Sequence, residues 1–194
     1  MSLLVLDQPP GGYRINGDPF SLARFVDLTG VTRFLDVGAG AGALSLVLLT
    51  EQSSLAGVAL EIDREAAHVA CANAIASGVD NRFRMVVGDA MTMKTLFLKT
   101  PFDLIVANPP YYRLDASRPS PDPKRDMARR EVRMTLAGLI NGAATLLPPG
   151  GRLALSMIVE RREEYRTLLH RHRFVETAHE TTGRIFLSEA RRER

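Results

Sequence analysis

A doubly wound, mostly parallel α/β sheet of seven strands, with an antiparallel strand near one edge, is the fold this 194-residue sequence predicts. Three observations carry the prediction. Short β-branched or apolar runs alternate with longer helical patterns, a glycine-rich turn joins the first run to the first helix, and the last two runs follow one another with no helix between them. Alternating strands and helices imply parallel strands covered on both faces. The closing pair has no crossover helix and must pair antiparallel.

Taken in order, residues 32–37 read as a strand, followed by glycines and an apolar helix over 43–51. Residues 55–61 form the second strand. Asp63 can cap the next helix, 64–77, which Gly78 ends in the usual C-terminal position. Strands are expected at 82–87 and 102–107. A helix over 131–147 is stopped by Pro148-Pro149-Gly150-Gly151, a fifth strand covers 153–158, and a helix covers 160–171. Residues 174–189 make the closing strand pair, and the Arg-rich end at 191–194 reads as a frayed tail. No internal repeat appears, so residues 1–194 are expected to form a single domain. Within it, residues 1–30 form an N-terminal covering segment, 31–158 a binding and catalytic core, and 159–194 the closing helix and strands.

Composition narrows the class. A hydrophobic share of 45% with 24% charged residues is enough to bury a core, which excludes a disordered chain. No apolar run reaches the roughly 18 residues of a membrane span, and the N-terminus lacks the basic start and apolar stretch of a signal peptide. The single cysteine, Cys71, excludes an internal disulfide framework and fits a reducing compartment, so a cytoplasmic protein is expected. His68, His170, His172 and His179 make no metal-ligand spacing with Cys71, and no metal is expected. The formal charge is +3. The stretch 113–133 alone carries seven Lys/Arg against four Asp/Glu, a net +3 equal to that of the whole chain.

The glycine turn, Asp36-Val37-Gly38-Ala39-Gly40-Ala41-Gly42, follows a strand and opens a helix. Its glycines allow a sharp turn and let a ligand approach where a Cβ would block it. Gly38, Gly40 and Gly42 also satisfy a dinucleotide fingerprint. Two later acidic residues sharpen the reading. Glu61, with Ile62 beside it, ends the second strand, where a carboxylate can accept both ribose hydroxyls, a placement that also fits NAD. Asp89, followed by Ala90, stands after the third strand and can accept from an adenine amino group. Carboxylates at both ends suit an adenosyl ligand without phosphate. A third carboxylate, Asp36, favours the sulfonium of S-adenosylmethionine and disfavours pyrophosphate.

The stretch Asp103-Leu104-Ile105-Val106-Ala107-Asn108-Pro109-Pro110-Tyr111-Tyr112 is the most specific in the chain. Two prolines fix the backbone and remove two amide donors, leaving carbonyl acceptors. The Asn108 side-chain oxygen and the Pro109 carbonyl can then accept both hydrogens of a substrate amine. Tyr111 offers a flat face for the planar group that bears it. Asn108, Pro109, Pro110 and Tyr111 are the catalytic candidates, and Asn108 also borders the cofactor.

These motifs, in this order, resemble those of class I amino-methyltransferases, whose Rossmann-like sheet has seven strands. Gly12-Tyr13-Arg14 with Asp18, Arg118-Pro119-Ser120-Pro121 and Ala128-Arg129-Arg130-Glu131 narrow the resemblance to bacterial tRNA(Val) adenine-N6 methyltransferases. It covers most of residues 8–158. It implies S-adenosylmethionine as cofactor, methyl transfer to an exocyclic amino nitrogen, adenine N6 in tRNA as target, and RNA contacts through Tyr111, Tyr112, Arg113, Arg118, Lys124, Arg125, Arg129, Arg130 and Arg133. Tyr13 and Arg14 cover the cofactor, touch substrate or anchor the N-terminal segment. The sequence departs from the family at Asn16-Gly17-Asp18-Pro19 and in a shorter C-terminal third. Release-factor glutamine methyltransferases and guanine-N2 rRNA methyltransferases are neighbouring alternatives. An NAD-dependent dehydrogenase leaves Asn108-Pro109-Pro110-Tyr111 unexplained, and a silent RNA-binding domain leaves the motifs without use.

Overall fold

The computed structural model describes residues 4–8, 16–109 and 134–194. Its sheet has seven strands: β1 (Arg33–Val37), β2 (Ala56–Glu61), β3 (Phe83–Val87), β4 (Leu104–Ala107), β5 (Arg152–Ile158), β6 (Phe174–Thr182) and β7 (Ile185–Arg192). They lie in the order β3-β2-β1-β4-β5-β7-β6. The first five pair parallel, while β7 runs antiparallel to both β5 and β6. The expected sheet is therefore present. The antiparallel strand lies one position in from the edge, because the hairpin β6–β7 folds back and inserts its second arm against β5.

Period-2 alternation along the strands builds two cores. Phe34, Leu104, Val106, Ala154 and Leu187 face α1 (Asp18–Phe25), α2 (Ala43–Glu51) and α3 (Arg64–Ala76). Leu35, Val37, Ile105, Leu153 and Leu155 face α4 (Met93–Leu96), α5 (Leu136–Leu146) and α6 (Arg162–Arg171). α2 is buried from Ala43 through Leu49, which explains its nearly uniform apolar sequence. Its last turn is closed from outside: the Arg82 guanidinium donates to the carbonyls of Leu49 (2.8 Å), Gln52 (3.1 Å) and Leu55 (2.8 Å). Gly57 lies against the Phe34 ring, where an added Cβ would stand 2.5 Å from Cζ.

The ends of several elements differ from expectation for local reasons. α5 starts at Leu136 because Thr135 is extended and its hydroxyl caps the Gly138 N–H at 3.0 Å; residues 131–133 lie outside the described residues. A 3-10 turn over Val159–Arg161 takes the first turn expected of α6. The expected frayed tail is ordered instead. Arg191 and Arg192 belong to β7, the Arg192 side chain bonds the Leu147 carbonyl, and the Glu193 N–H donates to the Arg173 carbonyl at 2.8 Å. Helix α1, unforeseen within the covering segment, begins at Asp18-Pro19, where proline's missing N–H costs nothing.

Residues 4–8 run along α3. Ser77 Oγ accepts from the Val5 N–H (3.0 Å) and donates to its carbonyl (3.3 Å). The buried Asn73 amide accepts from the Asp7 N–H (2.8 Å) and donates to the carbonyls of Asp7 and Ala41, both at 3.0 Å. The N-terminal segment is thereby joined through one side chain to the glycine turn.

Candidate active site

The carboxyl ends of β1, β2, β3 and β4 meet where the strand order reverses between β1 and β4, the usual ligand crevice of such sheets. Register places the candidates side by side. Val37 pairs with Leu60, Glu61 with Val87, and Asp36 with Val106, so Asn108 follows two residues beyond the Asp36 rung.

The turn after β1 takes its shape from glycine. Gly38, Gly40 and Gly42 have φ of 77°, 56° and 87°, left-handed values that disfavour any Cβ. At Gly42 an added Cβ would also lie 3.2 Å from the Ala70 Cβ of α3. Most of the turn's amides have partners. Gly38 and Ala39 donate to the Leu60 carbonyl at 2.8 and 3.1 Å, and Gly40 donates to Glu61 Oε2 at 2.7 Å. Glu61 Oε1 accepts from Ile62 (2.8 Å) and Asp63 (2.9 Å). Three N–H donors thus fix this carboxylate beside the turn, and since a carboxylate accepts about four hydrogen bonds, capacity for a ligand hydroxyl remains.

Asp36 is 1% exposed and faces α2 rather than the open crevice; its Oδ2 accepts from Ser45 Oγ at 2.7 Å. Burial, aided by the nearby Glu61 charge and opposed by the Ser45 bonds, pushes its pKa up to about 7. Asp63 caps α3 through the N–H groups of Glu65 and Ala66, as its sequence position indicates. Asp89 stands half-buried after β3 and accepts from the Met91 N–H at 2.8 Å, opening the short turn that begins at Ala90.

Asn108, half-buried, follows β4 directly, and buried Pro109 follows it. Its Oδ1 accepts from the hydroxyl of Ser156 on β5, a residue that sequence reasoning overlooked. Ser45 was overlooked as well. Each is a single hydroxyl in an otherwise apolar run, Ala-Leu-Ser-Leu-Val in α2 and Leu-Ala-Leu-Ser-Met in β5, and that contrast was the available signal. Pro110, Tyr111, Tyr112, Arg113, Arg118, Lys124, Arg125, Arg129, Arg130 and Arg133 lie outside the described residues, as do Tyr13 and Arg14. The structure therefore brings together Gly38, Gly40, Gly42, Glu61, Asp89 and Asn108 at one edge, with Asp36 beneath the turn. Among the described residues no group of three or more His, Cys, Asp or Glu side chains is arranged to hold a metal, and no helix is long and apolar enough to cross a membrane.

Sheet order, glycine turn and strand-end residues together define a Rossmann-like domain of the methyltransferase class. The chain belongs to the methyltransferase small domain family, whose model matches residues 22–186. It is 38% identical over 143 residues to the tRNA1(Val) (adenine(37)-N6)-methyltransferase of Porphyromonas gingivalis, covering 73% of this chain and 55% of that protein. The protein of the same description from Tolumonas auensis is 32% identical over 160 residues, 82% of this chain and 65% of its own length. The chain thus spans between half and two-thirds of these curated relatives. Among solved structures, the ribosomal protein L11 methylase of Lactobacillus delbrueckii subsp. bulgaricus superposes with a TM-score of 0.71 at 20% identity, over 98% of this chain and 86% of that one, a likeness of fold.

Proposed function

We propose that this chain binds S-adenosylmethionine over the glycine turn and transfers its methyl group to an exocyclic amino nitrogen, adenine N6 of a tRNA. The observation that carries the reading is the placement of Asn108 at the end of β4, beside a turn whose Gly40 amide is already held by a carboxylate. A phosphate-binding turn keeps such amides open to an anion. Here Glu61 occupies that direction, which disfavours pyrophosphate and suits a ribose; Asp36, expected from the sequence to face the cofactor, is instead buried against α2 with its pKa raised to about 7 and is not a crevice charge. The donor set fits an adenosyl sulfonium and argues against the NAD reading. The names of the curated relatives support adenine in tRNA over a protein glutamine.

Bound there, S-adenosylmethionine supplies an electrophilic methyl group on a positively charged sulfur. Glu61 would accept from the ribose hydroxyls, and Asp89 with Ala90 would read the adenine edge. Asn108 Oδ1 and the Pro109 carbonyl would accept the two amine hydrogens and favour the tetrahedral nitrogen that methylation requires. The surplus proton is acidic after transfer and passes to solvent, so no strong base is needed. Orientation supplies much of the acceleration, well-positioned reactants gaining roughly 7–11 kcal/mol. The target base must leave its stack, which costs a few kcal/mol and least in a loop. The basic stretch 113–133 would hold RNA phosphates, and the reaction belongs to the cytoplasm, where tRNA is found.

The test is a radiolabelled methyl-transfer assay on unmodified tRNA, with digestion to nucleosides. Label in N6-methyladenosine is the expected result. Asn108→Ala should lower turnover by at least about 100-fold, the scale of a lost positioning contact, with cofactor affinity within a few-fold by calorimetry. Label appearing in protein in place of RNA would overturn the substrate reading.

A further inference from the structure

Asn73 is 1% exposed and stands on the face of α3 that meets the glycine turn, three residues beyond Ala70, whose Cβ lies 3.2 Å from where a Cβ on Gly42 would stand. Its Oδ1 accepts from the Asp7 N–H at 2.8 Å, and its Nδ2 donates to the carbonyls of Asp7 and Ala41, both at 3.0 Å. We propose that Asn73 is a positioning residue for the cofactor: gripped by the strap of residues 4–8, it holds the far end of the glycine turn in its receiving shape, so that strap and cofactor bind cooperatively. This inference rests on the reading of that turn as the cradle of S-adenosylmethionine.

The turn needs support from outside, because Gly38, Gly40 and Gly42 have more backbone freedom to lose than any other residue type. Its near end is tied to β2, through the Leu60 carbonyl and the Glu61 carboxylate. The far end depends on the peptide that joins Ala41 to Gly42. A trans peptide is planar, so its C=O and N–H point in opposite directions. Asn73 takes the carbonyl, while the Gly42 N–H donates back to the Ala39 carbonyl at 2.9 Å. The Gly42 carbonyl then accepts the first bond of α2, from the Leu46 N–H at 2.9 Å. One side chain from α3 therefore sets the peptide from which the helix departs. The strap sets that side chain in turn. The Asp7 N–H and carbonyl meet the amide as donor and acceptor, which decides which way it faces and stops rotation about its last bond. The remaining amide hydrogen is thereby aimed at Ala41. Order already present in the fold need not be supplied by the ligand, and such preorganisation appears as affinity.

The experiment compares Asp7→Pro, Asp7→Ala and Asn73→Ala with the wild-type chain. Both Asp7 variants lose an exposed carboxylate, and only proline loses the N–H that Asn73 accepts. Calorimetry with S-adenosylmethionine should show binding weakened by about 3- to 10-fold in Asp7→Pro and by about 10-fold in Asn73→Ala, with Asp7→Ala within about twofold of wild type. In turnover the loss should fall on KM for the cofactor, with kcat at saturation within about twofold. Coupling is reciprocal, so saturating S-adenosylmethionine should slow hydrogen exchange at the Asp7 amide in the wild-type chain and not in Asn73→Ala. With no ligand present, the Gly42 amide should exchange faster in Asp7→Pro than in Asp7→Ala. Equal affinities in the two Asp7 variants, an Asp7 amide indifferent to the cofactor, or a Gly42 amide indifferent to the strap would each overturn the proposal. The Asp7 pair decides the matter even if Asn73→Ala fails to fold. A wild-type chain that binds no S-adenosylmethionine would instead overturn the function reading alone, because Gly42 exchange still reports the hold of the strap on the turn.

Discussion

Asp36 has the least comfortable environment of the residues around the glycine turn, a carboxyl 1% exposed with Ser45 Oγ as its side-chain donor. Its pKa near 7 in the folded chain compares with an ordinary value of 3.8. Between those values the folded chain keeps a proton that the unfolded chain has released. Rising pH therefore favours unfolding across this window, by at most about 1.4 kcal/mol per pH unit. Below pH 3.8 both states are protonated and the penalty vanishes; above 7 it is complete. Urea unfolding at pH 5, 6 and 7 should show this slope as a difference between the wild-type chain and Asp36→Asn. Parallel profiles would refute it. Asp103 opposes the trend. Burial resists its ionisation, but bonds from the Thr32 hydroxyl and the Thr32 and Arg33 amides outweigh that and hold its carboxyl below the usual range. Its contribution is present above pH 3.8 and lost as pH falls through its lower folded value, which is why the comparison is made against Asp36→Asn. Residue-scale legibility was uneven. Glycines and strand-end acids announce themselves because few residue types tolerate those positions. Which way Asp36 faces, and that Ser45 and Ser156 bond partners on neighbouring elements, depends on how those elements pack together.

At the scale of elements, the alternation of apolar residues was enough to place every strand within one to three residues, since sheet burial repeats every second position. Helix boundaries were less readable. Thr135 stops α5 short through a cap that competes with the helical pattern upstream, and α1 has only a brief apolar stripe of Leu22 and Ala23. Close packing between elements was not legible at all. Gly57 gives no turn signal, yet it is required by the Phe34 ring beside it. Gly57→Ala should destabilise the fold by about 1–3 kcal/mol, the usual cost of overpacking, read as a lowered urea midpoint with unchanged slope. The Asn73 bridge makes a separate prediction. Asn73→Ala removes three hydrogen bonds joining residues 4–8, α3 and the glycine turn. Hydrogen exchange at Asp7 should quicken, with a stability loss of about 1–3 kcal/mol. Unchanged exchange would mean the segment is held by its apolar contacts alone.

At the scale of the whole molecule, charge is unevenly spread along the chain. The net +3 over 113–133 matches that of the entire chain, so positive charge is concentrated in one stretch. If those residues hold phosphates, the logarithm of tRNA affinity should fall linearly with that of salt. Arg129→Ala and Arg130→Ala should each reduce the slope by about 0.7 to 0.9 without changing the methylated nucleoside. A slope unaffected by both would place the RNA elsewhere. The sheet order was legible in part. An antiparallel closing pair follows from two strands lacking a crossover, but insertion of β7 beside β5 depends on Leu187 and Phe186 each finding an apolar layer on opposite faces.

That insertion also sets an order of events during synthesis. β7, the last strand in sequence, lies inside the sheet, while β6, made before it, lies at the rim. Until residues 185–192 have left the ribosome, β5 carries an unpaired border along a mostly apolar strand, and the half-built domain is exposed to pairing with other nascent chains. The sheet therefore closes against β5 only after both arms of the hairpin have been made, the rim arm first.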